Sequence, residues 1–304
     1  MSYAYRLSEL KLASDFDLPG LTPWNGPADA PADIVIRLGQ TPARLDAADH
    51  VAPVFQIQGG NRYLLLLPGT GRMLVRDGCD VTVEPEPGAD PTAICAILAG
   101  PIQAVLWHQR GRLPLCGNAV VVDGKAIALV GPAASGKSTL AARLSMKGHV
   151  PLADGLCVID AADARPPSVL PGMPHLQLWR DALDYLGIAT NGLNRILATR
   201  EKFLVERRGG LVDAPQPLAA VAVLWRRTSG ALDIERLRGL AAVAALRDNV
   251  YLRRPAQALG RDKAIFAALT RLVAAGVTVW RLKLPDDPSC LDRAAVELLT
   301  VLRP

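Results

Sequence analysis

Ala126-Ile127-Ala128-Leu129-Val130-Gly131-Pro132-Ala133-Ala134-Ser135-Gly136-Lys137-Ser138-Thr139 is the stretch that decides how this chain is read. The first five residues are an unbroken apolar run, as expected of a buried strand. The next nine spell G-x-x-x-x-G-K-S-T, and Ser138 to Lys147 has helical character closed by Gly148. Strand, glycine loop and helix in that order is the context a phosphate-binding loop needs. A chain that wraps phosphate must turn consecutive backbone N–H groups to one concave side. Gly131 and Gly136 permit the backbone angles and close approach that a Cβ would hinder. The helix start aims its positive end at the anion. Gly131, Pro132, Ala133, Ala134, Ser135, Gly136, Lys137, Ser138 and Thr139 are therefore expected to hold the phosphates of a nucleoside triphosphate. Lys137 supplies a point charge for the β- and γ-phosphates, and Ser138 offers its hydroxyl to Mg²⁺.

A magnesium site usually needs a carboxylate as well. Asp154 lies in Val150-Pro151-Leu152-Ala153-Asp154-Gly155, and Asp160 ends the apolar run Leu156-Cys157-Val158-Ile159. Asp160 also suits the capping of a turn, and spacing alone leaves both open.

Upstream, the chain reads as β-rich. Ile34–Leu38 is a strand, and Val54–Ile57, Gly59-Gly60-Asn61 and Tyr63–Leu67 make a hairpin. Arg72–Val75 and Asp80–Val83 are strands joined at Asp77-Gly78. Glu84–Asp90 is a loop rich in Pro, Glu and Gly. Pro91–Gln109 is helical, with a break into two pieces expected at Gly100-Pro101. Downstream, strands are expected at Ala119–Val122, Ala219–Trp225, Leu232–Leu237 and Val277–Leu284. Helices are expected at Leu240–Leu246, Asp262–Ala275 and Pro288–Leu302. The fold class is α/β: a β-rich N-terminal domain over 1–112, then a P-loop domain over 113–304 whose mixed sheet is flanked by helices.

Bulk composition narrows the classes of function. The chain has 304 residues, half of them hydrophobic and 21% charged, which suits one large or two ordinary globular domains. Net charge is +5, with doublets at Arg207–Arg208, Arg226–Arg227 and Arg253–Arg254 that read as solvated surface. No nucleic-acid motif accompanies them, so no nucleic-acid partner is expected. Five cysteines, at 79, 95, 116, 157 and 290, show no metal-ligand spacing and suit a reducing cytoplasm. Met1–Leu10 carries Arg6 and Glu9 and no apolar run, so no secretory signal is expected there. Nor does any run of about 18 uninterrupted apolar residues point to a membrane span.

From Leu113 onward the sequence resembles the HPr kinase/phosphorylase superfamily, and most of all its shorter HPr-kinase-related branch associated with ribosomal-peptide and lasso-peptide biosynthesis. The residues that carry the likeness are the hairpin Leu113–Gly124 before the P-loop, Gly148–Asp154 after its helix, Met173–Trp179, and Asp181-Ala182-Leu183. The resemblance implies an ATP- and Mg²⁺-dependent serine kinase acting on a peptide or small protein, in a homo-oligomer. It also implies that Asp154 is the general base on the acceptor hydroxyl and a metal ligand with Ser138, beside Lys137 as the other catalytic residue. A carboxylate within hydrogen-bond reach can take the proton that a serine loses as it attacks.

Two positions depart from the family pattern. Gly155 stands where the family has a second Asp, and Cys116 where it has a His. A thiol, neutral at pH 7 unless its pKa is lowered, is a poor substitute for imidazole. Gly155 and Cys116 argue against the reverse phosphorylase reaction, and the absence of the family's Glu-Ile-Arg-Gly segment argues against HPr as acceptor. A degenerate, nucleotide-binding regulatory or scaffold protein is therefore the alternative expectation. A P-loop hydrolase ranks below both, because no water-positioning residue stands out.

Other residues take bland readings at this level. His149 suits helix capping, Trp179 packing, and Lys202 a solvated face shared with Glu201 and Glu206. One of Arg247, Arg253 and Arg254 is a candidate to meet substrate or a neighbouring subunit.

Overall fold

A computed structural model describes residues 3–162, 165–173, 175–196, 200–206, 212–227, 230–285, 287 and 289–302. The Arg207–Arg208 doublet and Pro174 lie outside them. The chain divides into two compact units, Met1–Arg112 with Leu252–Ala264, and Leu113–Tyr251 with Ile265–Pro304. A single cut before Leu113 therefore misplaces one segment. Leu252–Ala264, with Arg253 and Arg254, clusters with the first unit, whereas Arg247 ends the helix Gly239–Arg247 in the second.

The first unit is built on a nine-stranded sheet among the described residues. Its spatial order is Thr22–Pro23, Tyr3–Leu7, Leu10–Ser14, Ile34–Leu38, Asp80–Pro85, Gly71–Arg76, Arg62–Leu67, Phe55–Gln58 and His50–Ala52. The last five of these form an antiparallel meander, and Ile34–Leu38 joins its neighbours on both sides in parallel. Alternation along the strands buries Leu12, Ile34, Ile36, Ile57 and Leu64. The expected hairpin pairs Phe55 with Leu65 and Ile57 with Tyr63.

The helical run starts at Pro91, where Asp90 caps the N–H of Thr92 at 2.9 Å and Pro occupies the first turn, which needs no N–H from it. It does not break at Gly100-Pro101. The chain widens into a π turn over Leu98–Ile102 and continues as Gln103–Gln109. The wider turn absorbs the N–H that Pro101 lacks, so the proline is accommodated rather than disruptive. Among the described residues this 19-residue run is long and apolar enough, by length and composition only, to cross a membrane, and half of it is buried within the protein. It contains no charged residue. Its buried face, with Ile94, Leu98, Ile102 and Leu106, is used as the core face of a packed helix.

The second unit is a mixed sheet with helices, so the chain as a whole is α/β. Lys125–Val130 lies antiparallel to Leu113–Val122 and parallel to Gln216–Arg227, which in turn lies parallel to Thr278–Pro285. Lys125–Val130 and the strand Gln216–Arg227 have sheet neighbours on each side, and Ala126–Val130 are buried, as expected of a strand covered on both faces. Val150–Ala153 and Leu156–Asp160 both pair with the long strand Leu113–Val122. A separate two-stranded hairpin joins His175–Trp179 to Lys202–Glu206. Its apolar face, Leu176, Leu178 and Phe203, packs in one cluster with Leu140 and Leu144 of the P-loop helix.

Candidate nucleotide site

The strand Lys125–Val130 ends at Gly131, and the helix Lys137–Met146 begins after Gly136. At Gly131 φ is +156° and a Cβ would lie 2.6 Å from the carbonyl oxygen of Leu224, so the loop lies flat against the neighbouring parallel strand. Gly136 caps the helix at φ +90°, with the side chains of Leu284 and Leu291 just beyond where its Cβ would be. Both positions are left-handed backbone that a side chain would strain. Ala134 takes a left-handed φ of +60° at the loop tip. Ser135 is 2% exposed.

Lys137 lies back along the loop, its Nζ donating to the carbonyl oxygens of Gly131 at 2.9 Å and Pro132 at 2.6 Å. Burial pushes its pKa below the ordinary lysine value, with Cys116 and Asp154 acting in the opposite direction. Ser138 donates its hydroxyl to Asp154 Oδ1 at 2.9 Å. Asn118 Nδ2 donates to Ser138 Oγ at 3.2 Å and also to Asp154 Oδ1. The backbone N–H of Gln177 donates to Asp154 Oδ2 at 2.5 Å. Asp154 is 4% exposed and Asn118 fully buried, and among the described residues Asn118 Oδ1 has no hydrogen-bond partner.

Strand register explains why these groups meet. Gly117 pairs with Val130 and Ala119 with Ala153, so the segment Cys116–Asn118 runs between the start of the P-loop and the turn that carries Asp154. Asp154 and Asp160 separate here: Asp160, at the end of Leu156–Asp160, accepts the N–H of Ala162 at 3.1 Å, the turn-capping arrangement. Gly155 has φ +75° with open space where its Cβ would point, so the backbone turns tightly there. Cys116 is half-buried next to the loop, its carbonyl accepting the N–H of Gly131 at 3.3 Å. Burial pushes its thiol pKa up, with Lys137 opposing, so it is a neutral thiol near pH 7.

One of the bland readings is overturned and another is narrowed. Lys202 does not lie on a solvated face. Its Nζ donates to Gln177 Oε1 at 3.0 Å and sits 5.8 Å over the ring of Trp179. Burial lowers its pKa and Asp154 opposes, and it lies within electrostatic reach of Lys137. Glu201 turns instead to Arg180 at 3.0 Å. Trp179 is 43% exposed rather than packed in the core. Alternation along the hairpin is the cause: Trp179 faces Lys202 across the strands, with Gln177 on the same side, while Leu176, Leu178 and Phe203 anchor the other side.

Asn118 and Gln177 are the residues that sequence reasoning passed over, and Lys202 is the one it placed on the wrong face. Asn118 did carry a legible signal, because an amide inside the apolar strand Leu113–Val122 must find partners once buried. Gln177 contributes a backbone N–H, which no residue type announces. Among the described residues no group of three or more His, Cys, Asp or Glu side chains forms a metal cluster.

No family model matches the chain, and no curated protein matches it. Among solved structures, it is similar to the Hpr(Ser) kinase/phosphatase from Coxiella burnetii, at 12% identity and a TM-score of 0.32, over 62% of this chain and 90% of that one.

Proposed function

We propose that this protein is an ATP-dependent phosphotransferase that phosphorylates a serine hydroxyl of a peptide or small protein, with a ribosomally made, lasso-type precursor as the acceptor class. The hydrogen bond from Ser138 to Asp154, at 2.9 Å on the first turn of the P-loop helix, carries the reading. It joins the hydroxyl that the loop motif offers to a metal with the carboxylate that the sequence resemblance assigns to chemistry. The acceptor class rests on that resemblance alone.

Backbone N–H groups between Ala133 and Thr139 and the positive end of the helix hold the phosphates. Lys137 and Lys202 are two ammonium groups whose charge burial disfavours, and such groups gain from an incoming anion. Ser138 and Asp154 present hard oxygen donors of the kind Mg²⁺ takes, and Asn118 holds both through its Nδ2, so the donor chemistry fits that ion. Mg²⁺ held by Ser138 and Asp154 would supply charge neutralisation for the triphosphate. Asp154 Oδ2, held in direction by the Gln177 N–H, is the oxygen that takes the acceptor proton.

Phosphoryl transfer from γ-labelled ATP to a panel of serine-containing peptides tests the reading. Transfer by the wild type that falls by about 10²–10⁴ in Asp154→Asn supports it. A second reading, nucleotide binding without transfer, is favoured by Cys116, whose neutral thiol stands where the family has a proton-carrying imidazole. Nucleotide binding that needs Lys137, with no transfer to any peptide in the panel, would establish that one instead.

A further inference from the structure

The strand Leu113–Val122 carries a single side-chain amide, that of Asn118, and it is fully buried. On one side Asn118 pairs with Leu129 of the strand that enters the P-loop. On the other, Ala119 pairs with Ala153, and the N–H of Gly117 donates to the carbonyl oxygen of Gly155 at 3.3 Å. Between those two links Asn118 stands directly opposite Asp154, where cross-strand side chains meet. We propose that Asn118 is a positioning residue of the metal site, whose amide holds Ser138 Oγ and Asp154 Oδ1 together as one two-oxygen seat for Mg²⁺. The proposal rests on Ser138 and Asp154 as the metal donors and adds the residue on which their joint geometry depends.

The first argument is spacing. Ser138 Oγ and Asp154 Oδ1 lie 2.9 Å apart. Adjacent ligands of an octahedral Mg²⁺, each at about 2.0–2.1 Å, are separated by about 2.9 Å. Asn118 Nδ2 donates to both oxygens, to Ser138 Oγ at 3.2 Å and to Asp154 Oδ1. Because it belongs to a paired strand, it ties the first turn of the P-loop helix to the turn that carries Asp154 from a rigid base.

The second argument is what the amide costs the core. Its neighbours Val120 and Leu129 belong to the buried cluster behind the P-loop helix. Its Oδ1 is buried with no partner among the described residues, a desolvation cost that an aliphatic side chain of the same size would avoid. Packing by itself therefore favours leucine at this position, and a local rule broken without a structural gain marks a functional site.

The third is the character of the groups nearby. Gly155 has no side chain to orient the carboxylate, and burial keeps the Cys116 thiol neutral. The Gln177 N–H engages the other oxygen, Oδ2. Fixing Oδ1 and leaving Oδ2 to a separate donor gives the two oxygens of one carboxylate different tasks, metal on one side and acceptor proton on the other.

Calorimetric titration of the full chain with ATP, once with Mg²⁺ and once in EDTA, tests the proposal. Asn118→Leu keeps the size of the side chain and removes the donor. Affinity for MgATP is expected to fall about 10–100-fold in it, with affinity for ATP in EDTA and the melting temperature near wild type. Asn118→Ser guards against a folding defect in the leucine variant, and its short hydroxyl should cost a few-fold of MgATP affinity with the same indifference in EDTA. Where the wild type transfers phosphate, kcat should fall in step while the KM for the peptide holds. MgATP affinity unchanged in the folded variants, or affinity lost equally with and without Mg²⁺, overturns the proposal and makes Asn118 structural. A wild type that binds MgATP but transfers to no peptide ends the kinase reading and leaves the binding comparison to decide Asn118. Wild-type affinity indifferent to Mg²⁺ sinks the metal site and Asn118's role together, while the phosphate loop stands if Lys137→Ala still abolishes ATP binding.

Discussion

In the first unit the ammonium of Lys11 is buried, at 8% exposure, and its Nζ donates to the carbonyl oxygens of Ala28 at 2.9 Å and Ala30 at 2.6 Å. Those partners come from one nearby loop, and the ring of Trp24 from the same stretch completes the setting. In the second unit the Asp154 carboxylate is buried to a similar degree, but its donors come from the strand Leu113–Val122, the P-loop helix and the hairpin strand His175–Trp179. Lys137 and Lys202 are near enough to act on it electrostatically. Both arrangements satisfy the rule that buried charge must be paired. The first ties down a loop. The second gathers groups from three separate segments at the mouth of the Gly131–Thr139 loop, an assembly that packing alone does not require. Buried charge satisfied locally reads as structure, and buried charge assembled from afar reads as chemistry.

The largest test of this contrast is Lys137→Ala, which should lower triphosphate affinity and any phosphoryl transfer by about 10²–10³ while leaving the melting temperature near wild type. A fall in melting temperature equal to that of a core mutant would put Lys137 among the structural charges. Lys202→Met comes next. Removal of a charged donor worth about 1.5–3 kcal/mol predicts a loss in transfer of roughly ten- to a hundredfold, rescued in part by Lys202→Arg. A purely structural Lys202 would move stability and leave transfer alone.

Lys11→Met is the mirror image. It strands the carbonyls of Ala28 and Ala30, so chemical denaturation should show a loss of about 1–3 kcal/mol, with ATP affinity unchanged. Altered ATP affinity in that variant would break the distinction between the two kinds of buried charge.

The smallest effect is one of pH, and its sign differs between the units. The Arg72 guanidinium, then hydrogen bonds from Thr41, lower the pKa of Glu84 from 4.5 to about 2. A depressed carboxylate contributes stability that is present above 4.5 and lost as the pH falls toward 2, so the acid limb of a melting-temperature profile should flatten in Glu84→Gln. For the site, burial lowers the pKa of Lys137 and Lys202, so their charge is lost at lower pH than for an ordinary lysine at 10.5. Triphosphate affinity should fall correspondingly early as the pH rises, and Lys202→Met should shift that limb.

The strand, loop and helix around Gly131–Thr139 were legible in the sequence because each step is local: an apolar run, glycines where backbone must come close, and a helix with its lysine and serine at fixed offsets. The meander of the first unit was legible for the same reason, through alternation and turn residues at Gly59-Gly60-Asn61 and Asp77-Gly78. Three things needed the tertiary structure. Pro101 is absorbed by a π turn instead of ending its helix, because the run it sits in keeps one buried face on either side of the turn. Sheet register, set by pairings such as Gly117 with Val130 and Ala119 with Ala153, brings Asn118 to Asp154 and Ser138 and leaves Asp160 at a turn. And Lys202, which its acidic neighbours in sequence place on a solvated face, is turned into the site because Leu176, Leu178 and Phe203 claim the opposite face of its hairpin for the core. Local chemistry names the groups a loop can use; which distant side chains join them depends on burial and register, and those belong to the whole fold.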